Sequence, residues 1–245
     1  MHWPKSASSP YRAGLLLILS LLLPSVHADD AECVALLHGL WRTEGSMERM
    51  QDELVEAGFT VRNIGYQSTD QTISELADEA VPRAVDACGS AQRIHFVTHS
   101  MGGILIRQYL AEHDIDRLGR VVMLGPPNQG SEVVDFYHDL PAFEWFAGPA
   151  GLELGTGEAS VPRALGPVHF DLGVIAGTQS INLVLSGLVL PDADDGKVSV
   201  DATRVAGMND HLEMPVTHVF MMRDPEVIEQ VVHYLENGRF QRELH

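Results

Sequence analysis

One serine has neighbours that could make its hydroxyl reactive: Ser100, within the run Thr98, His99, Ser100, Met101, Gly102 and Gly103. Residues 93–98 are short, apolar-rich and β-favouring, and so predict a buried strand. Beyond the serine an apolar helical pattern begins, carried by Ile104, Leu105, Ile106, Tyr109 and Leu110. A serine on so sharp a strand-to-helix turn has its hydroxyl pushed out of the sheet, at the positive end of the following helix. Strand and helix pass close together there, so a small residue is needed, and Gly102 supplies it. The usual pattern has a second glycine two residues before the serine; Thr98 stands there instead and bears on the tightness of the turn. The same residues also read as an ordinary helix start capped by Ser100. The nucleophile reading therefore requires a base, an acid and an oxyanion pocket from the rest of the chain.

A serine hydroxyl is a weak nucleophile at neutral pH and needs an adjacent base, and a histidine held by a carboxylate supplies one. On α/β scaffolds with such a turn the order along the chain is serine, acid, histidine. Of twelve histidines, His218 follows the last predicted strand and precedes the final helix, in a loop at the edge where Ser100 emerges. His211, at the other end of that strand, faces the opposite edge, and His38 comes too early in the chain. His99 is expected to point away from the substrate space. For the acid, Asp195 heads Asp-Gly-x-Val, where the glycine permits a tight reversal; Asp194 and Asp192 compete within a few residues, and Asp201 is a distant alternative. Backbone amides already aimed at the developing oxyanion should come from Met101, after the nucleophile, and from Leu40, after His38 and Gly39.

The elements that must position these groups alternate. Residues 34–37, 59–66, 93–98 and 120–124 read as strands, with helices over 47–57, 73–87 and from Ser100 onward. This order argues for an α/β fold with a mostly parallel sheet covered by helices on both faces. Ligands of such sheets bind beyond the carboxyl ends of the strands, where Ser100, His38 and Gly39 occur. After Gly125-Pro-Pro-Asn-Gln-Gly130 the alternation breaks. A short helix over 131–140 and the aromatics Phe143, Trp145 and Phe146 lead into a glycine- and proline-rich stretch, 148–167, expected to be irregular. The insertion at about 131–168 reads either as a cap walling an acyl pocket or as a rim insertion that does not touch substrate. Strands follow over 170–176 and 212–216, then a helix with Asp224 at its N-cap and Pro225 at its first position, ending before Gly238.

Charge narrows the partners. With 34 acidic and 16 basic residues, the surface should repel nucleic-acid phosphates and anionic headgroups. Lys5 and Arg12, the apolar run 13–23 and the small residue Ala28 have the layout of a secretory signal peptide cleaved after residue 28, leaving residues 29–245 as one domain exported to the periplasm or beyond. An uncleaved membrane anchor is the alternative, but the apolar run is shorter than a membrane-spanning helix requires. Cys33 and Cys88 fall at the same, N-terminal, edge of the predicted sheet, a reasonable geometry for a disulfide and far from the chemistry. No Gly-x-Gly-x-x-Gly opening a helix and no Gly-Lys-Ser/Thr phosphate loop occurs, and no tight run of metal ligands, so neither cofactor nor metal is expected.

His38-Gly39, the run Thr98 to Gly103, Pro126-Pro-Asn-Gln-Gly-Ser131, Asp195-Gly-x-Val198 and the His218 loop stand in one order over nearly the whole mature chain. In this the sequence resembles the lipase-like α/β-hydrolases, especially bacterial secreted lipases and esterases. The resemblance implies an α/β-hydrolase fold and ester hydrolysis through an acyl-enzyme, without organic cofactor. The expected substrate is a small-molecule acyl ester or lipid, with an apolar acyl group and transient contact with a lipid interface. Acyltransferase and thioesterase chemistry use the same parts, and a non-catalytic binding protein on this scaffold is the alternative from another class.

Overall fold

The computed structural model describes residues 1–2, 32–140, 142–158, 160–180, 189–190 and 193–242. The proposed leader, apart from its first two residues, and the competing acid Asp192 lie outside the described residues.

Six parallel strands form one sheet in the order β2-β1-β3-β4-β5-β6. They are β1 (Glu32–Leu37), β2 (Thr60–Ile64), β3 (Arg93–His99), β4 (Leu118–Leu124), β5 (Leu172–Gly177) and β6 (Asp210–Met214). Alternation along β1 explains the two-faced core. Ala35 and Leu37 join the cluster beneath α2 (Ile73–Ala87) and α3 (Met101–Glu112). Val34 and Leu36 face the opposite cluster, beneath α1 (Glu48–Glu56) and α7 (Pro225–Asn237). A strand buried on both sides must be apolar throughout, as the Val-Ala-Leu-Leu run is.

Local chemistry fixes the helix ends. Thr72 and Glu75 close a reciprocal capping box on α2. Asp224 accepts from the amides of Glu226 and Val227, Pro225 opens α7, and Gly238 ends it at φ 70°. Strand β6 starts two residues earlier than expected because Asp210 and His211 pair with Gly173 and Val174 of β5. Cys33 and Cys88 form a disulfide with Cα atoms 5.8 Å apart, tying β1 to the end of α2 at the sheet edge where the strands begin.

The insertion is more regular than its composition suggests. Between β4 and β5 lie α4 (Glu132–His138), α5 (Phe143–Leu152) and the short α6 (Val161–Ala164). The expectation of irregular chain from residue 148 is corrected: α5 kinks at Gly148, at φ 63°, and resumes through Pro149 to Leu152. A proline near the start of a helical segment has no amide to leave unpaired, so the second half restarts without loss. Gly148 also lies so close to the loop after β2 that a β-carbon there would sit 1.9 Å from the Thr69 carbonyl oxygen. Arg107, buried on α3, clamps the base of the insertion by donating to the carbonyls of Asn128, Pro162 and Gly166.

Candidate active site

Ser100 occupies the turn between β3 and α3 with φ 52° and ψ −122°, one of two non-glycine residues with positive φ among those described. Such a conformation is costly for a side-chain-bearing residue and persists where the surroundings over-determine it. Here its amide donates to the Leu124 carbonyl at 2.9 Å, and its own carbonyl accepts from the Gly103 amide at 3.0 Å. Gly102 is required as expected: a β-carbon would stand 2.6 Å from the Leu37 carbonyl oxygen. Thr98, where a glycine is usual, is fully buried in β3.

Asp195 and His218 come together from separate loops. The Asp195 carboxylate is almost wholly enclosed; Oδ1 accepts from the amides of Lys197 and Val198 at 3.0 and 2.9 Å. Its Oδ2 lies 2.7 Å from His218 Nδ1, and its carbonyl accepts the His218 amide at 2.9 Å. This orients the ring with Nδ1–H toward the acid and leaves Nε2 as the basic nitrogen. Asp194 is turned elsewhere, with Oδ1 accepting from the Gly196 amide at 2.7 Å, and Asp201 lies in a separate turn that pairs with Arg204. Ser100 and His218 line one cavity of about 740 Å³, and the Ser100 hydroxyl makes no hydrogen bond among the described residues. A proton could pass between the two only at an approach of about 2.6–3.2 Å.

Glycines make room for the pair. At Gly125, after β4, a β-carbon would sit 2.9 Å from Asp195 Oδ2 and 3.0 Å from His218 Nδ1. At Gly177, ending β5, it would meet Asp195 Cβ at 2.7 Å. One follows a strand and the other ends one, positions that could have signalled their role, although the sequence reading assigned them none.

The turn expected to face an oxyanion is equally built. Gly39 packs so tightly that a β-carbon would stand 3.0 Å from Ser100 Cβ. His38 is buried and stacked on Tyr66 with ring centroids 4.0 Å apart. Its Nδ1 donates to the Gly39 carbonyl and Nε2 accepts from the Tyr66 amide, while the Tyr66 hydroxyl donates to its carbonyl. Burial lowers the His38 pKa, which agrees with this neutral tautomer. The turn thus held presents Leu40, whose amide makes no hydrogen bond among the described residues. The amide of Met101, first of α3, is one of the orphan donors of a helix start.

His99 corrects the sequence reading. Its ring does not point away but lines the cavity and lies against His218, with centroids 4.8 Å apart. Nε2 donates to the His218 carbonyl at 2.9 Å, anchoring the loop that carries that ring. Burial first, and His218 beside it second, push the His99 pKa well below the ordinary imidazole value, so it stays neutral. His211, as expected, is remote; it bonds Thr203 Oγ1.

The insertion walls the cavity. Val133, Val134, Tyr137, Phe143, Phe146 and Leu154 all line it, so the insertion forms part of the wall of the cavity that Ser100 lines. The Trp41 indole donates to the Phe146 carbonyl across the mouth. Among the described residues no group of three or more His, Cys, Asp or Glu side chains is arranged to hold a metal ion.

With this geometry in view, residues 34–231 match the alpha/beta hydrolase family, most of the chain. The chain belongs to that family. Solved structures share the fold at low identity. The Bacillus licheniformis lipase BlEst2 in its propeptide form superposes with TM-score 0.69 at 18% identity, covering 89% of this chain and 53% of that one. A metagenomic carboxyl esterase aligns with TM-score 0.61 at 16% identity, over 79% of this chain and 66% of the other. The phospholipase PlaB of Legionella pneumophila aligns with TM-score 0.59 at 16% identity, over 85% of this chain and 60% of the other. This α/β-hydrolase chain therefore spans about half the length of the first of these relatives.

Proposed function

We propose that this α/β-hydrolase is a serine carboxylic-ester hydrolase that works through an acyl-enzyme. Ser100 Oγ attacks the ester carbonyl and passes its proton to His218 Nε2. Asp195 holds the His218 tautomer and stabilises the imidazolium. The amides of Leu40 and Met101 donate to the oxyanion, and His218 returns the proton to the leaving alcohol; water then repeats the sequence to free the acid. The observation that carries the reading is the 2.7 Å Asp195–His218 pair opening on the same cavity as a serine held at φ 52°.

The apolar lining from the cap supports an apolar acyl group. Trp41 and Phe146, which line the mouth and leave more than half their surface bare, support transient contact with a lipid interface. Export after cleavage following residue 28 belongs to the same proposal, and the Cys33–Cys88 disulfide agrees with an oxidising compartment. Hydrolysis of p-nitrophenyl esters of graded chain length by wild type and by Ser100→Ala, Asp195→Asn and His218→Ala tests it. Wild type should turn over and each variant should lose at least about a thousandfold in kcat; wild-type rates in Ser100→Ala would refute it. Thioester substrates and added acceptor alcohols in the same assay separate thioesterase and acyltransferase chemistry from hydrolysis.

A further inference from the structure

The chain has only two lysines, and 34 acidic residues outweigh 16 basic ones, yet the cavity over Ser100 has two basic side chains in its wall, Arg42 and Lys197. No aspartate or glutamate lines that cavity among the described residues; the Asp195 carboxylate lies behind the wall with both oxygens bonded. Both cations are half-buried, and neither side chain has a hydrogen-bond or ion-pair partner among the described residues. Elsewhere Arg83 pairs with Glu79, Arg120 with Asp171, Arg204 with Glu213 and Arg242 with Asp210, and Arg93 and Arg239, which also have no side-chain partner among the described residues, are exposed rather than half-buried. A partly desolvated cation left unpaired on so acidic a molecule is a cost that an incoming anion would offset.

Their places along the chain tie both to the loops that carry the proposed catalytic groups. Arg42 lies two residues after Leu40, with its amide bonded to the Gly39 carbonyl in the same turn. Lys197 lies two residues after Asp195 and donates its amide to that carboxylate. Both backbones are therefore fixed by the catalytic loops, while the charged ends remain uncommitted.

We propose that the substrate is an acyl ester bearing a negatively charged group, a phosphate or a carboxylate, near the scissile bond, and that Arg42 and Lys197 receive that group while the cap holds the acyl chain. The assignment rests on the serine-hydrolase reading and deepens it. Guanidinium and ammonium groups both bind such oxyanions by charge-assisted hydrogen bonds, the guanidinium in two-pronged fashion.

The test compares kcat/KM on three monomeric esters of one acyl chain: a neutral monoacylglycerol, its glycerol phosphate counterpart, and a monoacyl ester whose alcohol carries a carboxylate. Wild type is expected to favour the charged esters by about tenfold or more. Arg42→Gln and Lys197→Met should each lower the charged-to-neutral ratio severalfold, and Arg42→Lys with Lys197→Arg should retain most of it. Because the readout is a ratio within one preparation, partial misfolding of a variant cancels. Preference for the phosphate ester alone supports the site and narrows the group to phosphate. A wild-type ratio of one or below, or ratios unchanged in Arg42→Gln and Lys197→Met, would overturn it. Turnover of the neutral ester that is lost in Ser100→Ala separates that outcome from a failure of the hydrolase reading itself.

Discussion

At the scale of single residues, the role proposed for Asp195 is one of geometry. Its two oxygens are committed, one to the amides of Lys197 and Val198 and the other to His218 Nδ1. Asp195→Asn preserves shape but offers the ring the wrong partner, so kcat should fall by on the order of 10³–10⁴-fold with little change in Tm, read by ester turnover and thermal melting. Gly125 is constrained by the same pair. Gly125→Ala would set a methyl 2.9 Å from the Asp195 oxygen at a φ of 54°, so activity should drop by more than the loss of folded protein explains. Wild-type turnover in that variant would show that the loops have more freedom than this packing implies. That Ser100, Asp195 and His218 would come together was legible in the sequence from residue type and order. What favours Asp195 over its neighbour Asp194 is the hydrogen bond of Asp195 to His218, which no sequence pattern displays. The direction of His99 was not legible. Its partner, the His218 carbonyl, is 119 residues away, and only the folded chain brings that loop against it.

At the scale of elements, short apolar runs such as Val34 to Leu37 announced the strands because both their faces are buried, and 73–87 coincides with α2. The second half of α5 escaped notice because Gly148 and Pro149 also mark loops; only the backbone shows a kink followed by a restart. The fit of Gly148 against Thr69 seats the cap on the loop that precedes α2, supported by the Ala150 amide bonding the Gln71 carbonyl at 3.0 Å. The Cys33–Cys88 disulfide, closing a span of 55 residues, restrains the unfolded chain by about 4 kcal/mol on the chain-entropy account. A Cys33→Ala/Cys88→Ala variant should melt roughly 10 °C lower while its folded fraction keeps the wild-type kcat/KM. The bond lies at the edge where the strands begin, and the candidate site at the edge where they end. A loss of kcat/KM in folded protein would mean that the two edges are coupled.

At the scale of the whole molecule, histidines wholly or partly buried in the fold should make it sensitive to acid. His38, His95 and His99 have lowered pKa values, each chiefly through burial, and His211 is lowered to about 4, by burial first and Arg204 second. The unfolded chain takes up these protons near pH 6.5 while the folded one does not, so it binds more protons below that pH and stability falls as pH drops. For His211 the loss runs from about pH 6.5 down to about 4. Tm should decline through this interval, and His211→Gln, which can still donate to Thr203, should flatten the decline; an unaltered slope would assign the acid sensitivity to other groups. The reading of the molecule as an enzyme depends most on one alcohol. Mass-spectrometric mapping after exposure to a fluorophosphonate probe tests it directly. One adduct per chain on the peptide containing Ser100, absent from Ser100→Ala, is the predicted result; no adduct on that peptide in wild type, with ester turnover intact, would contradict it.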